Sequence, residues 1–255
     1  HAPRDAEAHP LRHPIEDPNE MTSFRPVIGT GGAHAVAPTR PSPAPSDQAG
    51  MPSRRFEIAA LMPCGTVERR SVTAPAVPGI EEAATAFARG TLLPTPTGPV
   101  AVEDLDPGDS VVLTEGAPAT VIWIGSTLFA RPRHRTRAGL VRVMSDTMGD
   151  AVPGPDLLLG PAARLYMRHA RLRSLLGRDG VLVPLSDYTD GDRFIPVTPH
   201  GPVELYHLLL ARHGLMRVGG LALESYHPGA ALDALTQNGL RGAFMALFPN
   251  LEGTA

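Results

Sequence analysis

Three histidines near the carboxyl end are the side chains best suited to proton transfer or metal binding. They are His207, His213 and His227. Together with Asp187 or Asp190 they have the atom types of a metal site. Their spacing lacks the short i, i+2 or i, i+4 pairs that make a zinc assignment specific. We therefore interpret them as structural or partly exposed histidines and predict neither a metal nor another cofactor.

The hydroxyl and thiol groups offer weaker candidates for a nucleophile. Thr85 and Thr91 lie on either side of Ala86, and β-branched side chains of this kind suit structural positions in or beside a strand. Cys64 is the only cysteine, so an internal disulfide is impossible. We expect it to be a buried thiol that packs as a small apolar side chain.

Charge and hydropathy exclude several classes of partner. The net charge of −3 predicts no strong attraction to nucleic acid or to an anionic membrane. The one basic run, residues 131–137, lacks interleaved aromatic residues, and we interpret it as a solvated loop. Apolar runs are far shorter than the ~20 residues that span a bilayer. No secretory apolar segment is seen at the start. We predict a soluble protein, cytoplasmic or exported by a non-classical route, with no membrane span and no nucleic-acid partner; a protein partner is possible but unknown.

The elements that must position these side chains begin after a long polar segment. Residues 1–50 are rich in Pro, Ala and Ser without apolar periodicity, which predicts disorder because too little apolar surface can be buried. Residues 54–85 hold two strand-like runs separated by Pro63-Cys64-Gly65, which predicts a small hairpin. The end of this segment, from Gly79 to Phe87, is compatible with either a short helix or a linker.

From Gly90 onward, short apolar segments alternate with turn residues about every ten positions, which favours an all-β fold. The strongest hairpin signal is Gly219-Gly220, because two glycines suit a two-residue turn with positive φ. The stretch from Ala230 to Leu247 has apolar residues at near-helical intervals. We expect one or two short helices there, interrupted near Asn238-Gly239.

Several segments, in the same order, resemble those of the hedgehog/intein (Hint) autoprocessing domains of bacteria. They are residues 86–92 (AFARGTL), 98–111 (GPVAVEDLDPGDSV), 121–125 (VIWIG), 156–165 (DLLLGPAARL), 205–208 (LYHL) and 224–229 (ESYHPG). The resemblance implies an all-β, horseshoe-like Hint domain over residues 86–250, with a short C-terminal helical segment.

The resemblance also implies a reaction whose key atoms are missing. In this family the first residue is a cysteine or serine nucleophile, and a Ser/Thr-x-x-His block activates the scissile amide. The matching positions here are Ala86, Gly160 and Ala163. His213 matches a late histidine that assists in resolving the intermediate. Together with Thr91 and His227 it forms the candidate residual site.

We therefore interpret the chain as a catalytically degenerate Hint protein, an interaction or structural module rather than an enzyme. One alternative is an autoprocessing domain that cleaves itself with a different nucleophile. Another is a binder of a small molecule or metal in the former catalytic cleft. The family pattern suggests that cysteine at 86, threonine at 160 and histidine at 163 give the best chance of restoring cleavage.

Overall fold

The structure is a computed structural model, and it describes residues 51–130, 139–169, 172, 174 and 177–251. The predicted disorder of residues 1–50 and the predicted loop 131–137 lie outside these residues. The strands are β1 (Ser53–Leu61), β2 (Val67–Pro75), β3 (Phe87–Ala88), β4 (Leu92–Thr95), β5 (Gly98–Ala101), β6 (Ser110–Val112), β7 (Pro118–Phe129), β8 (Leu140–Val143), β9 (Leu157–Leu159), β10 (Arg164–Arg168), β11 (Gly180–Pro184), β12 (Phe194–Val197), β13 (Val203–Leu210), β14 (Leu215–Val218) and β15 (Leu221–Glu224).

The helices within the described residues are few and short. The α-helices are α1 (Pro78–Glu81), α2 (Gly229–Gln237) and α3 (Arg241–Met245). The 3₁₀ turns are Glu82–Ala84, Val102–Asp104, Leu185–Tyr188 and Pro249–Leu251. The fold is therefore all-β, as the turn spacing predicts, with a short C-terminal helical segment, as the apolar spacing of residues 230–247 predicts. None of these described helices is long and apolar enough to cross a membrane.

A nine-stranded sheet forms the centre of the fold. Its main path runs β12-β8-β9-β3-β13-β7-β1-β2, and β6 pairs with β7 beside this path. The pairings are antiparallel, and the long strands β7 and β13 lie side by side from Val203–Phe129 to Leu210–Val121. A second sheet has the order β11-β10-β15-β14, and β4 and β5 form a separate hairpin. The short strand β3 is thus enclosed between β9 and β13.

The predicted hairpin after residue 53 is present and is built into the central sheet. Strands β1 and β2 pair from Ser53–Pro75 to Leu61–Val67, and the other edge of β1 pairs with β7. The prediction that Cys64 is buried is wrong. Cys64 is exposed because it occupies the tight turn between β1 and β2, and its Sγ lies 3.1 Å from Thr66 Oγ1. The predicted domain limits 54–85 and 86–250 stay a prediction.

Trp123 joins the C-terminal helices to the central sheet. Its indole Nε1 donates a 2.6 Å hydrogen bond to the carbonyl of Leu247, and its ring lies 4.7 Å from that of Phe248. The same apolar cluster contains Phe56 from β1 and Ile80 from α1. The cluster therefore packs the hairpin, helix α1 and the C-terminal helices against one side of the sheet.

The two glycine predictions agree with the structure. Gly219 and Gly220 join β14 to β15 with φ values of +54° and +89°, the backbone of a primed two-residue turn. Helix α2 ends at Gln237, and Gly239 has a φ of +69° before α3 begins at Arg241. A left-handed glycine after a helix is a common way to end it.

Candidate functional site

The peptide bond between Thr85 and Ala86 is held by backbone hydrogen bonds on both sides. The Ala86 N–H donates to the Tyr206 carbonyl at 3.0 Å, and the Ala162 N–H donates to the Thr85 carbonyl at 3.0 Å. The Gly160 N–H donates to the Ala86 carbonyl at 2.8 Å. Both residues of this peptide are buried. The segment 160–162 and strand β13 therefore fix the peptide bond that the resemblance predicts to be the scissile bond.

Gly160 has no room for a side chain. A Cβ atom added there would clash with the Thr85 carbonyl oxygen, and it would lie 2.8 Å from the Thr85 carbonyl carbon and 2.9 Å from Leu205 Cδ1. A real Cβ does not approach other heavy atoms this closely, so only glycine fits without a shift of the backbone. The space that a hydroxyl side chain would need at residue 160 is taken by the peptide itself.

The other two family positions bring no reactive group to this peptide. Ala86 and Ala163 are both buried and belong to the same apolar cluster. The carbonyl of Ala163 accepts a 3.0 Å hydrogen bond from the Leu185 N–H, so its backbone is also engaged. Ala86 and Ala163 therefore each contribute only a methyl group, and Gly160 contributes no side chain.

A cavity of about 220 Å³, lined mostly by polar residues, adjoins this segment through Ala162. It is lined by residues from the 3₁₀ turn after α1, from β10, β13 and β15, and from the start of α2. They are Glu82, Ala162, Arg164, His207, His213, Glu224, Ser225, Tyr226, His227 and Ala231.

His207 is the most buried histidine of this cavity. Its ring meets those of Phe87 and Tyr226 edge-on, at centroid distances of 5.6 and 5.2 Å. Burial lowers the pKa of His207 to about 4, and this effect outweighs the opposite influence of the carbonyls of Glu82 and Glu224. Its Nδ1 lies 3.0 Å from the Glu82 carbonyl. Since a carbonyl can only accept, Nδ1 carries the proton of the neutral ring.

His213 and His227 lie together at the more exposed side of the cavity. Their ring centroids are 5.1 Å apart. His213 Nε2 lies 3.0 Å from Glu224 Oε1, and Arg164 forms a 4.0 Å ion pair with Glu224 Oε2. His227 Nδ1 accepts a hydrogen bond of 3.2 Å from the Gly229 N–H. The cavity mouth thus has two imidazoles, one carboxylate and one guanidinium.

The structure brings together only part of the candidate residual site. His213 and His227 share the cavity, and His207 joins them. Thr91 does not line it: the Thr91 hydroxyl is buried and donates a 2.6 Å hydrogen bond to the Ala88 carbonyl. The Thr91 hydroxyl is thus engaged within its own turn, and its structural role stays a prediction.

Asp187 and Asp190 also lie outside the lining of this cavity. The Asp190 carboxylate instead accepts hydrogen bonds from the N–H groups of Asp192, Arg193 and Phe194. In the part of the chain that the structure describes, no group of three or more His, Cys, Asp or Glu is arranged to hold a metal ion.

Sequence reasoning missed the polar partners of the histidines. Glu82 lies in a segment compatible with a helix or a linker, and Arg164 follows the family block without a role in it. Glu224, Ser225 and Tyr226 were noticed only as part of a closing motif. Glu82, four residues before the predicted first residue of the domain, was the one available signal, and no local spacing connects it with His207.

Comparison with known proteins identifies the family. A family model described as "Hint domain" matches residues 85–230, more than half of the chain. The solution structure of a bacterial intein-like domain from Clostridium thermocellum is 19% identical, with a TM-score of 0.41, covering 56% of this chain and 99% of that one. The crystal structure of the MchDnaB-1 intein is 16% identical, with a TM-score of 0.37, covering 55% and 100%.

The structure of the Msm DnaB1 intein splicing domain bound with zinc is 16% identical, with a TM-score of 0.35, covering 55% of this chain and 100% of that one. No match was found among the curated proteins. The extent of the family match, which begins at Thr85 and runs past His227, decides the assignment. This chain belongs to the Hint domain family.

Proposed function

We propose that this protein is a catalytically degenerate Hint domain that keeps its Thr85–Ala86 peptide intact and acts as an interaction or structural module. The observation that supports this most directly is the contact between Gly160 and the Thr85 carbonyl. The segment that would activate the scissile bond instead packs against it without a side chain. The Thr85–Ala86 peptide is buried in the core and hydrogen-bonded to neighbouring segments of the chain.

The missing groups differ in their consequence for the reaction. Loss of a general acid or base typically slows a reaction about 10²- to 10⁴-fold. Loss of the nucleophile removes the covalent route altogether. Ala86 has no oxygen or sulfur to attack the Thr85 carbonyl, so its methyl group is the decisive difference. Ala163 and Gly160 then leave the amide nitrogen without a side-chain proton donor.

The alternative, cleavage by another nucleophile, finds little support in the neighbouring hydroxyl groups. Thr85 Oγ1 donates a 2.9 Å hydrogen bond to the Glu81 carbonyl, in the preceding helical turn. Thr91 Oγ1 donates to the Ala88 carbonyl. Both side chains are buried and already satisfied. Neither belongs to the residue that follows the Thr85–Ala86 bond, which is where an acyl shift requires its nucleophile.

Intact mass measured under denaturing conditions tests the proposal. The purified protein should give a single full-length mass that does not change during incubation with a thiol or with hydroxylamine, either of which would release a fragment from a thioester or ester. Fragments that end at Thr85 and begin at Ala86 would overturn the proposal and establish the self-cleaving alternative.

A further inference from the structure

Two buried polar atoms at the inner end of the histidine-lined cavity have no hydrogen-bond partner. They are Nε2 of His207 and the phenolic oxygen of Tyr226, whose side chains belong to residues only 5% and 6% exposed. An unpaired buried polar group is costly, because it gives up its hydrogen bonds to water without replacing them. Both residues line the same cavity of about 220 Å³, so a molecule bound there can supply the missing partners.

The two atoms can both accept a hydrogen bond. With its proton on Nδ1, toward the Glu82 carbonyl, His207 has a lone pair on Nε2 that can accept. Burial raises the pKa of the Tyr226 hydroxyl, so this group stays a neutral phenol whose oxygen also accepts. Both atoms at the inner end of the cavity therefore lack a donor to accept from, and the O–H of Tyr226 is in addition free to donate.

A third acceptor is the carboxylate of Glu82. It lines the cavity and makes no ion pair within the described residues. Its interaction with Arg164 is a longer-range electrostatic attraction. Its influence reaches the Tyr226 hydroxyl, since it contributes to the raised pKa of that group. A carboxylate, an imidazole lone pair and a phenol oxygen together match the three N–H donors of a primary ammonium group.

The mouth of the cavity adds hydrogen-bond donors, and the Glu224 carboxylate also lies there, 4.0 Å from Arg164 and 3.0 Å from His213. Arg164 and His227 lie there, with the Arg164 side chain 43% exposed. The His227 Nδ1 accepts a hydrogen bond from the Gly229 N–H, so its Nε2 carries the proton and donates. A guanidinium and an imidazole N–H suit a carboxylate. The guanidinium would also repel a ligand that carries only positive charge.

We propose that this cavity binds a free α-amino acid, with its ammonium group toward Glu82, His207 and Tyr226 and its carboxylate toward Arg164 and His227. The volume suits a ligand of this size, because sites for drug-sized molecules begin at about 300 Å³. Ligand binding of this kind goes beyond the proposed function of a domain that does not cleave itself. It would use the former catalytic cleft without breaking a bond.

Isothermal titration calorimetry with the full chain tests the proposal. The proteinogenic amino acids are titrated individually, followed by the N-acetyl derivative of the strongest binder, ethanolamine and glycerol. We expect saturable binding of at least one free amino acid, with a Kd of about 1 mM or tighter. Acetylation should abolish it by removing the ammonium group. Ethanolamine, which lacks the carboxylate, should bind at least about tenfold more weakly, and glycerol should not bind.

Two cavity variants locate the site. Glu82→Gln keeps the shape but removes the charge, and should weaken amino-acid binding at least about tenfold, roughly 1.4 kcal/mol. Glu115→Gln, in the exposed turn before β7, is the matched control and should leave binding unchanged. Arg164→Met should reduce the affinity for the amino acid more than the affinity for ethanolamine. It carries the test if Glu82→Gln does not fold, which circular dichroism would show.

Some outcomes would overturn the proposal. They are no binding of any free amino acid to the folded protein, equal binding of the acetylated derivative, preferential binding of glycerol, or full affinity in both folded cavity variants. Denaturing mass spectrometry of the same samples reports separately whether the Thr85–Ala86 bond is intact. Failure of the ligand site is thereby distinguished from failure of the proposed function.

Discussion

The carbonyl oxygen of Thr85 occupies the space in which a side chain on Gly160 would have to begin. This relationship means that the absence of a hydroxyl at residue 160 has not left a gap beside the peptide. The backbone of Thr85 fills this space. Hydrogen bonds from the Gly160 N–H to the Ala86 carbonyl and from the Ala162 N–H to the Thr85 carbonyl keep it in place. Residues 160–162 pack against the backbone of Thr85 and Ala86, and the tolerance of Gly160 to substitution should reflect that contact.

Gly160→Ala is predicted to destabilise the domain by about 1–3 kcal/mol, the usual cost of forcing extra volume into a packed core. The added methyl would clash with the backbone of Thr85 and approach Leu205. The measurement is the free energy of unfolding in urea. Gly154→Ala is the matched control, because its Cβ would come no closer than 3.7 Å to the Ala151 carbonyl. Equal stability of the two variants would contradict the packing seen at Gly160.

Cleavage is best restored with Gly160 left unchanged. The double variant Ala86→Cys with Ala163→His supplies a thiol on the residue after the scissile bond and an imidazole for proton transfer. We expect thiol-dependent breakage at Thr85–Ala86 in denaturing mass spectrometry, and little or none in Ala86→Cys alone. Adding Gly160→Thr should reduce the yield, because threonine clashes with Thr85. This reverses the choice suggested by the family pattern. A higher yield from the triple variant would argue against the steric account.

The stability of the domain should fall as the pH is lowered from about 6.5 to about 4. The pKa of His207 is about 4 in the folded protein, compared with an ordinary value of 6.5. The unfolded chain therefore binds more protons between these pH values, and folding weakens as the pH falls. Integrated over this range, His207 accounts for about 3 kcal/mol. Urea denaturation at a series of pH values measures the effect.

Other titrating groups face His207, so the comparison must be made between variants. Glu82 has a raised pKa caused by burial, which gives its contribution the opposite sign: stability is lost as the pH rises. His213, Glu224 and Arg164 line the same cavity. His207→Gln should flatten the pH dependence between 4 and 6.5, whereas His200→Gln, at an exposed position, should not. Parallel curves for wild type and His207→Gln would refute the assignment.

The Gly219-Gly220 turn should not accept a β-branched residue. Gly220→Val should destabilise the domain by more than about 1 kcal/mol, because a left-handed conformation is unfavourable for valine. The neighbouring Val152 side chain, 3.0 Å from the added Cβ, allows little relief. Gly201→Val, where a Cβ meets nothing within 4 Å, is the control for adding an apolar side chain. Differential scanning calorimetry should give a lower Tm for Gly220→Val alone.

Local patterns predicted much of the fold because local physics determines those parts. The turn at Gly219-Gly220 and the break between α2 and α3 need a left-handed residue, and glycine supplies it. The hairpin of β1 and β2 follows from two strand-like runs and a turn. The pairing of β1 with β7 could not be predicted in the same way, since it joins residues more than sixty positions apart.

The candidate site was predictable only where one residue type decides the chemistry. Ala86 and Ala163 could be seen as missing groups from the sequence itself. The clash that excludes a side chain at Gly160 could not, because it depends on how the chain returns to Thr85. The cavity histidines were noticed, but Glu82 meets His207 from 125 positions away. Burial and tautomer, which give His207 its free lone pair, appear only in three dimensions.

The hairpin that precedes the Thr85–Ala86 bond is fastened to the rest of the chain by much more than that bond. Strand β1 pairs with β7, and Phe56 and Ile80 share an apolar cluster with Trp123. A single cut after Thr85 would therefore yield a nicked complex of two fragments that migrates as the whole protein in size-exclusion chromatography. The size of the native protein therefore does not report cleavage at this bond. Whether the covalent chain is continuous has to be measured on the denatured protein.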